Sequence, residues 1–277
     1  MPSVLLIGED AAFLDPVRSL PGRPAFDTVT AAGGADALRQ VRQRPFDAVL
    51  TSPRTPVAED LALLKELRGV RPGLRFIILA PSVTTAEILA ALRAQAFACF
   101  SEPLNWIELA GLLDAAFRDA DWRDSIEVRS ATANWLSLRV TSRVLTAERV
   151  TQFMRELVAD RNDDERERLM LAFREMLLNA MEHGTGFDPD QVIEIAAVRT
   201  DRAIVYYFRD PGPGFAHDQL PQATATRAPT DIVRAAAFRE QSGLRPGGFG
   251  MLIVRQLVDE VIYNDAGNEV LLVKHIK

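Results

Sequence analysis

Cysteine is almost absent. Of 277 residues only Cys99 carries a thiol, which excludes an intramolecular disulfide and a cysteine zinc cluster. It sits in the apolar run Ala96-Phe97-Ala98-Cys99-Phe100 and reads as a buried core thiol. Excess positive charge is missing too. The 32 Lys and Arg face 38 Asp and Glu, a net charge of -6, whereas a nucleic-acid binder needs a basic face to neutralise phosphates. No block of basic residues suits an anionic membrane surface, and no run reaches the ~18 apolar residues of a membrane span. The chain enters the apolar run Ser3-Val4-Leu5-Leu6-Ile7 without a charged start or cleavage site. The expectation is a cytoplasmic protein that binds neither nucleic acid nor membrane. Common nucleotide signatures are also lacking: there is no Gly-x-x-x-x-Gly-Lys-Ser/Thr loop, and no protein-kinase Gly-rich loop with its catalytic-loop partner.

What is present suffices for two domains. Hydrophobic residues make up 48% and charged residues 25%, an ordinary composition for halves that each bury a core. The first part alternates buried strands (Val4–Ile7, Thr28–Thr30, Ala48–Thr51, Phe76–Leu79, Cys99–Phe100) with helical patterns (Ala35–Arg42, Asp60–Gly69, Thr85–Gln95, Leu104–Phe117). That alternation predicts a parallel sheet covered by helices. The chain then turns polar, and the expected organisation is a domain over 1–120, a linker over 121–132 and a second domain over 133–277. The second domain reads as a strand at Leu136–Val140, helices over Ala147–Asp160 and Asp164–Glu182, and a hairpin of Val192–Val198 with Ala203–Phe208. A polar loop over Ala216–Pro246, a helix over Gly250–Glu260 and a strand at Val270–His275 follow. Mixed order of this kind predicts an α+β sandwich.

Three pieces of the second domain carry candidate chemistry. In Glu175-Met176-Leu177-Leu178-Asn179-Ala180-Met181-Glu182-His183-Gly184, the residues Glu175, Asn179 and His183 are one helical turn apart. Alone, such a stripe reads more readily as a solvent face. Asp210-Pro211-Gly212-Pro213-Gly214 follows a strand, where glycines admit a ligand close to the backbone and a carboxylate can accept from an exocyclic amine; alone, this is also a plain turn. Arg245-Pro246-Gly247-Gly248-Phe249-Gly250 opens a helix, whose bare N–H groups favour an anion.

In order and spacing the three resemble the motifs of the GHKL ATPase superfamily, with the Bergerat fold, over roughly Trp135 to Lys277. The phrases Glu-Met-Leu-Leu-Asn-Ala-Met-Glu-His-Gly and Gly-Gly-Phe-Gly-Met-Leu-Ile-Val-Arg-Gln are most similar to those of bacterial anti-sigma-factor serine kinases. The resemblance implies ATP and Mg²⁺. Asp210 would bond the adenine amino group, Gly212 and Gly214 would let the chain pass close to the nucleotide, and Asn179 would ligate Mg²⁺. Gly248 and Gly250 would cradle the phosphates, and Glu175 would act as general base toward a substrate hydroxyl. Arg245, with Arg227 and Arg234 behind it, is a candidate for phosphate neutralisation, although a solvated surface role is the better reading of all three. The implied partner is a protein, an anti-anti-sigma-like domain or a sigma factor, and the implied assembly is a homodimer. A catalytically silent ATP-gated module is the alternative. A sensor histidine kinase is disfavoured, because none of His183, His217 and His275 precedes the first motif.

The first domain, flavodoxin-like in pattern, resembles the receiver domains of two-component systems without their chemistry. Ser52 stands where a receiver carries its phosphorylated aspartate, and serine forms no acyl phosphate. Gly8 and Glu9 replace the acidic pair, with Asp10 a partial substitute. Ala80 replaces the switch hydroxyl and Glu102 the lysine. The expectation is a receiver-like docking or dimerisation module that is not phosphorylated at Ser52; a generic flavodoxin-like domain would have the same consequence.

Overall fold

A computed structural model describes residues 1–20, 26–119, 122, 125–214 and 250–276. The chain divides into two compact units, Met1–Ala133 with Leu145–Asp160, and Asn134–Val144 with Arg161–Lys277.

In the first unit, strands β1 (Ser3–Ile7), β2 (Asp27–Ala31), β3 (Ala48–Thr51), β4 (Arg75–Ala80) and β5 (Ala98–Ser101) form a parallel sheet of order β2-β1-β3-β4-β5. This is the flavodoxin-like, receiver-type order. Every residue of β3 and β4 is buried, as parallel strands covered on both faces require. Helices α1 (Ala11–Arg18), α2 (Gly34–Gln43), α3 (Val57–Val70), α4 (Thr85–Arg93) and α5 (Trp106–Arg118) connect or follow the strands. Asp10 caps α1 through the Ala12 N–H, Thr84 and Glu87 form a reciprocal capping box on α4, and Asn105 caps α5. Helix α1 escapes the sequence pattern because Pro16 lies inside it. Strand β6 (Ile126–Thr132) occupies the stretch expected to be linker; its charged, mostly exposed residues hide it from a hydrophobicity pattern.

Strand β5 ends the sheet, so its outer edge needs hydrogen-bonding partners. Helix α6 (Val144–Leu157) supplies them with side chains. The Gln152 amide accepts from the Cys99 N–H (3.2 Å) and donates to the Cys99 carbonyl, much as a neighbouring strand would. Ser101 Oγ donates to Glu156 (2.5 Å). Arg149 is only 3% exposed. It donates to the carbonyls of Phe97 (2.9 Å), Ala96 (3.2 Å) and Trp122 (3.2 Å) and to Ser125 Oγ (2.7 Å). Its guanidinium carbon lies 4.8 Å from the centroids of both the Phe97 and Trp122 rings. Burial pushes its pKa down to about 9, so it stays charged at neutral pH.

In the second unit, β7 (Trp135–Thr141), β8 (Val192–Arg199), β9 (Ala203–Arg209), β10 (Glu260–Tyr263) and β11 (Glu269–His275) run antiparallel in the order β10-β11-β9-β8-β7. Helix α7 (Asp163–Asn179) packs on this sheet through Phe173, whose ring meets those of Tyr206 (4.9 Å) and Phe208 (5.0 Å). Helix α8 (Gly250–Leu257) packs beside α7. Two expectations are corrected here. The long helix is not uniform to Glu182: it is α-helical to Asn179, then forms a π-helical turn over Ala180–Gly184. The last helix stops at Leu257, and Glu260 already begins β10. The whole of the polar loop expected over Ala216–Pro246 lies outside the described residues, as do Arg227, Arg234, Arg245, Gly248 and His217.

Candidate functional site

Helix α7 places Glu175 and Asn179 on one line, and the start of α8 closes on it. A Cβ added to Gly250 would stand 2.8 Å from Glu175 Oε2 and 3.4 Å from Asn179 Nδ2. Any larger residue at that helix start would displace the Glu175 carboxylate. Glu175 is largely buried, with 16% of its side chain exposed, and lies 3.6 Å from the Arg174 guanidinium. A carboxylate, an amide and a helix N-terminus therefore meet at one place.

The π-helical turn then brings the helix end to the tip of β9. Gly184 lies against the side chain of Asp210 so closely that a Cβ would overlap the Asp210 carboxyl group. A Cβ at Gly212 would stand 2.7 Å from the Gly184 carbonyl and 2.8 Å from Asp210 Oδ1. Gly214 has φ +74°, in the left-handed region, and a Cβ there would overlap the Ala266 carbonyl. These glycines are required by close approach, not by loop flexibility. His183, expected in line with Glu175 and Asn179, belongs to the π-helical turn, is exposed, and stands near enough to Asp210 to favour its charged form. Turns of this kind are frequent at functional sites.

Asp210 is half-buried. Desolvation raises its pKa, and the Gly212 N–H, donating to Oδ1 at 2.9 Å, pulls the other way without cancelling the rise. A carboxylate short of water seeks a donor, which is what an exocyclic amine supplies. Asn268 holds the turn beneath: the Asp210 N–H donates to the Asn268 carbonyl (3.1 Å), and the Asn268 amide donates to Gly212 O (3.3 Å). Sequence reasoning missed Gly184 as a site residue and missed Asn268 altogether. Gly184 had a signal, closing the first motif; Asn268 had none, since its role depends on pairing β11 with β9.

Glu175, Asn179 and Gly250 are thus brought together, and Asp210, Gly212 and Gly214 form one turn against the end of the same helix. An Mg²⁺–nucleotide fits this set. The Gly250 helix start leaves room only for backbone, Asn179 offers an amide oxygen to a hard ion, and Asp210 offers an under-solvated acceptor. Among the described residues no cluster of three or more His, Cys, Asp or Glu could hold a metal, so phosphate oxygens and water would complete the coordination of such an ion.

Two of the degenerate positions of the first unit, Ala80 and Glu102, line a cavity of about 700 Å³ at the carboxyl ends of the strands, together with Asp10, Arg54, Glu87 and Trp106 among others. Ser52 is buried beneath, accepting from the Arg54 N–H (3.3 Å), and its Cβ lies 2.8 Å from where a Cβ on Gly8 would stand. Glu9 is exposed and does not line the cavity. Asp10 does, but it is engaged: it caps α1 and pairs with Arg54 Nε at 2.6 Å, and these hydrogen bonds hold its carboxyl below the usual range. Sequence reasoning also missed the buried Asp60, 1% exposed, which accepts from Thr51 Oγ1 (2.8 Å) and is pushed up to about 7 by burial.

Fold and site together define an antiparallel α+β domain of ATPase type joined to a parallel α/β domain of flavodoxin-like strand order. The family model for the histidine kinase-like ATPase domain matches residues 127–274, more than half of the chain, and the chain belongs to that family. The match includes α6, which packs in the first unit. Over 113 residues the chain is 27% identical to the transcriptional regulatory protein ZraR of Salmonella typhimurium and 26% identical to that of Escherichia coli K12, covering 41% of this chain and 26% of each relative. It spans about a quarter of the length of those relatives. Solved structures similar to it include a CheY-like receiver domain protein from Methanospirillum hungatei (21% identity, TM-score 0.39, 44% of this chain and 97% of that one) and Vibrio cholerae chemotaxis protein CheY4 (19%, TM-score 0.37, 42% and 98%). No helix among the described residues is long and apolar enough to cross a membrane.

Proposed function

We propose that the chain is an ATP-binding signalling regulator that acts as a serine/threonine protein kinase of the anti-sigma-factor type on a protein partner, an anti-anti-sigma-like domain or a sigma factor. The observation that carries this reading is the meeting of Glu175, Asn179 and Gly250 beside the Asp210–Gly214 turn. Asp210 would accept a hydrogen bond from the adenine amino group, the N–H groups at the start of α8 would serve the phosphates, and Asn179 would hold Mg²⁺. The ion, when bound, neutralises charge developing on the phosphate oxygens. Glu175 takes the proton from a substrate hydroxyl, whose oxygen bonds to the γ-phosphorus as the bond to the bridging oxygen breaks and ADP leaves. A homodimer belongs to the same proposal.

The receiver-like unit is read as a docking module that does not take a phosphoryl group at Ser52. The buried Ser52 hydroxyl, the Asp10–Arg54 pair and the acidic Glu102 support this. The test is capture of partners with and without Mg-ATP, followed by phosphosite mapping on what is captured. Phosphoserine or phosphothreonine on the partner, lost with Glu175→Ala while ATP binding persists, supports the kinase reading. ATP binding with no transfer to any captured partner and no hydrolysis favours the silent gated module instead.

A further inference from the structure

Behind the Asp210 turn lies a relay of side-chain and backbone hydrogen bonds that the proposed chemistry does not use directly. Asn264 and Asn268 sit in the turn joining β10 to β11. Asn264 Oδ1 accepts from the N–H groups of Gly267 (2.8 Å), Asn268 (3.1 Å) and Glu269 (3.1 Å), which fixes the turn. Its amide nitrogen donates to Asn268 Oδ1 (2.9 Å). That bond orients the Asn268 amide so that its nitrogen reaches Gly212 O (3.3 Å), with Asp210 O at 3.5 Å. The Gly212 N–H in turn donates to Asp210 Oδ1 (2.9 Å). The two turns also interlock through backbone alone, since the Ala266 carbonyl fills the space a side chain on Gly214 would need.

We infer that Asn268, oriented by Asn264, is a positioning residue that aims the Asp210 carboxylate and so sets discrimination for a purine carrying an amino group over one carrying a carbonyl oxygen at the same place. This rests on the nucleotide reading of the site. Asp210 Oδ1 is held by the Gly212 N–H, in the Pro211–Gly212 peptide, and the next peptide, Gly212–Pro213, is held through its carbonyl by Asn268. Releasing the carbonyl lets the turn rotate, and the carboxylate loses its fixed direction. Binding of phosphates at α7 and α8 does not depend on that direction, so affinity for the two nucleotides should fall unequally. A buried polar group that meets its complement discriminates strongly only while it is held in place.

The test titrates the full chain with Mg-ATP and with Mg-inosine triphosphate, which differs by an oxygen in place of the amino group. The wild type should prefer ATP. Asn268→Ala should weaken ATP binding about tenfold and inosine triphosphate binding far less, so the preference collapses. Asn264→Asp keeps the three backbone acceptor bonds but cannot donate to Asn268 Oδ1, and should lose part of the preference with the turn intact. Asn268→Ser, which retains a donor, should recover part of it. Equal losses for both nucleotides in these variants, or an unchanged preference, overturn the positioning role while leaving the nucleotide reading standing. A wild type that binds neither nucleotide overturns the nucleotide reading and the positioning role with it.

Discussion

Replacing Arg149 with methionine tests how β5 and α6 are held together. Methionine matches the length of the arginine stem but has no donor. In the native protein the guanidinium serves three backbone carbonyls and one hydroxyl while lying between two aromatic rings. Removing it spares the cost of burying a charge, yet it strands several acceptors where water does not reach. Each stranded acceptor costs about 1–3 kcal/mol, and breaking a buried charged network typically costs about 3–5 kcal/mol. At roughly 2–4 °C per kcal/mol for a unit of this size, Arg149→Met should lower the first unit's melting temperature by roughly 6–20 °C. Differential scanning calorimetry measures it directly, with Arg149→Lys as a comparator. Lysine keeps the charge but lacks the planar fork, and should fall between the two. A methionine variant melting within a degree or two of the wild type would refute the claim that this cation holds α6 to the sheet edge.

Other consequences follow from particular groups. Asp60 is raised from 3.8 to about 7 in the folded state by burial, so its contribution to stability is full below pH 4 and is lost as pH rises through 7. Asp60→Asn should flatten that slope and be more stable than wild type at pH 8, by an amount on the order of 2–4 kcal/mol, with no advantage at pH 4; urea melts across that range decide it. Gly214→Ala forces a Cβ onto the Ala266 carbonyl at positive φ, and should destabilise the second unit by at least about 1–3 kcal/mol, seen as a lower urea midpoint. Gly250→Ala crowds the flexible end of Glu175 at 2.8 Å and comes into ordinary contact with the Asn179 amide at 3.4 Å. It should leave the unfolding free energy from urea melts within about 0.5 kcal/mol of wild type while slowing phosphoryl transfer in a labelled-ATP assay, because the displaced carboxylate is the proposed base.

The strands of the first unit were legible because parallel strands buried on both faces are unbroken apolar runs, as in Val49-Leu50 and Phe76-Ile77-Ile78-Leu79. The candidate site was legible through its glycines, which mark places where the backbone must pass close to something else. The mode of α6 burial was not. Arg149, Gln152 and Glu156 repeat every three to four residues, as a solvent face does, and only a contact some fifty residues away in sequence makes them interior. The π-helical turn was hidden for a related reason. Its residues suit an α-helix, and its geometry is needed only to bring Gly184 against Asp210. Strand β6 was hidden by exposure, and Asn268 by dependence on strand pairing.

The most direct test of the nucleotide site is isothermal titration of this 277-residue chain with Mg-ATP, wild type against Asp210→Asn. Micromolar binding of one nucleotide per chain, weakened at least tenfold by the substitution, is the expected result. No heat of binding in the wild type, or equal affinity in the two proteins, would contradict the assignment of Asp210 and the Asn179 helix to one nucleotide.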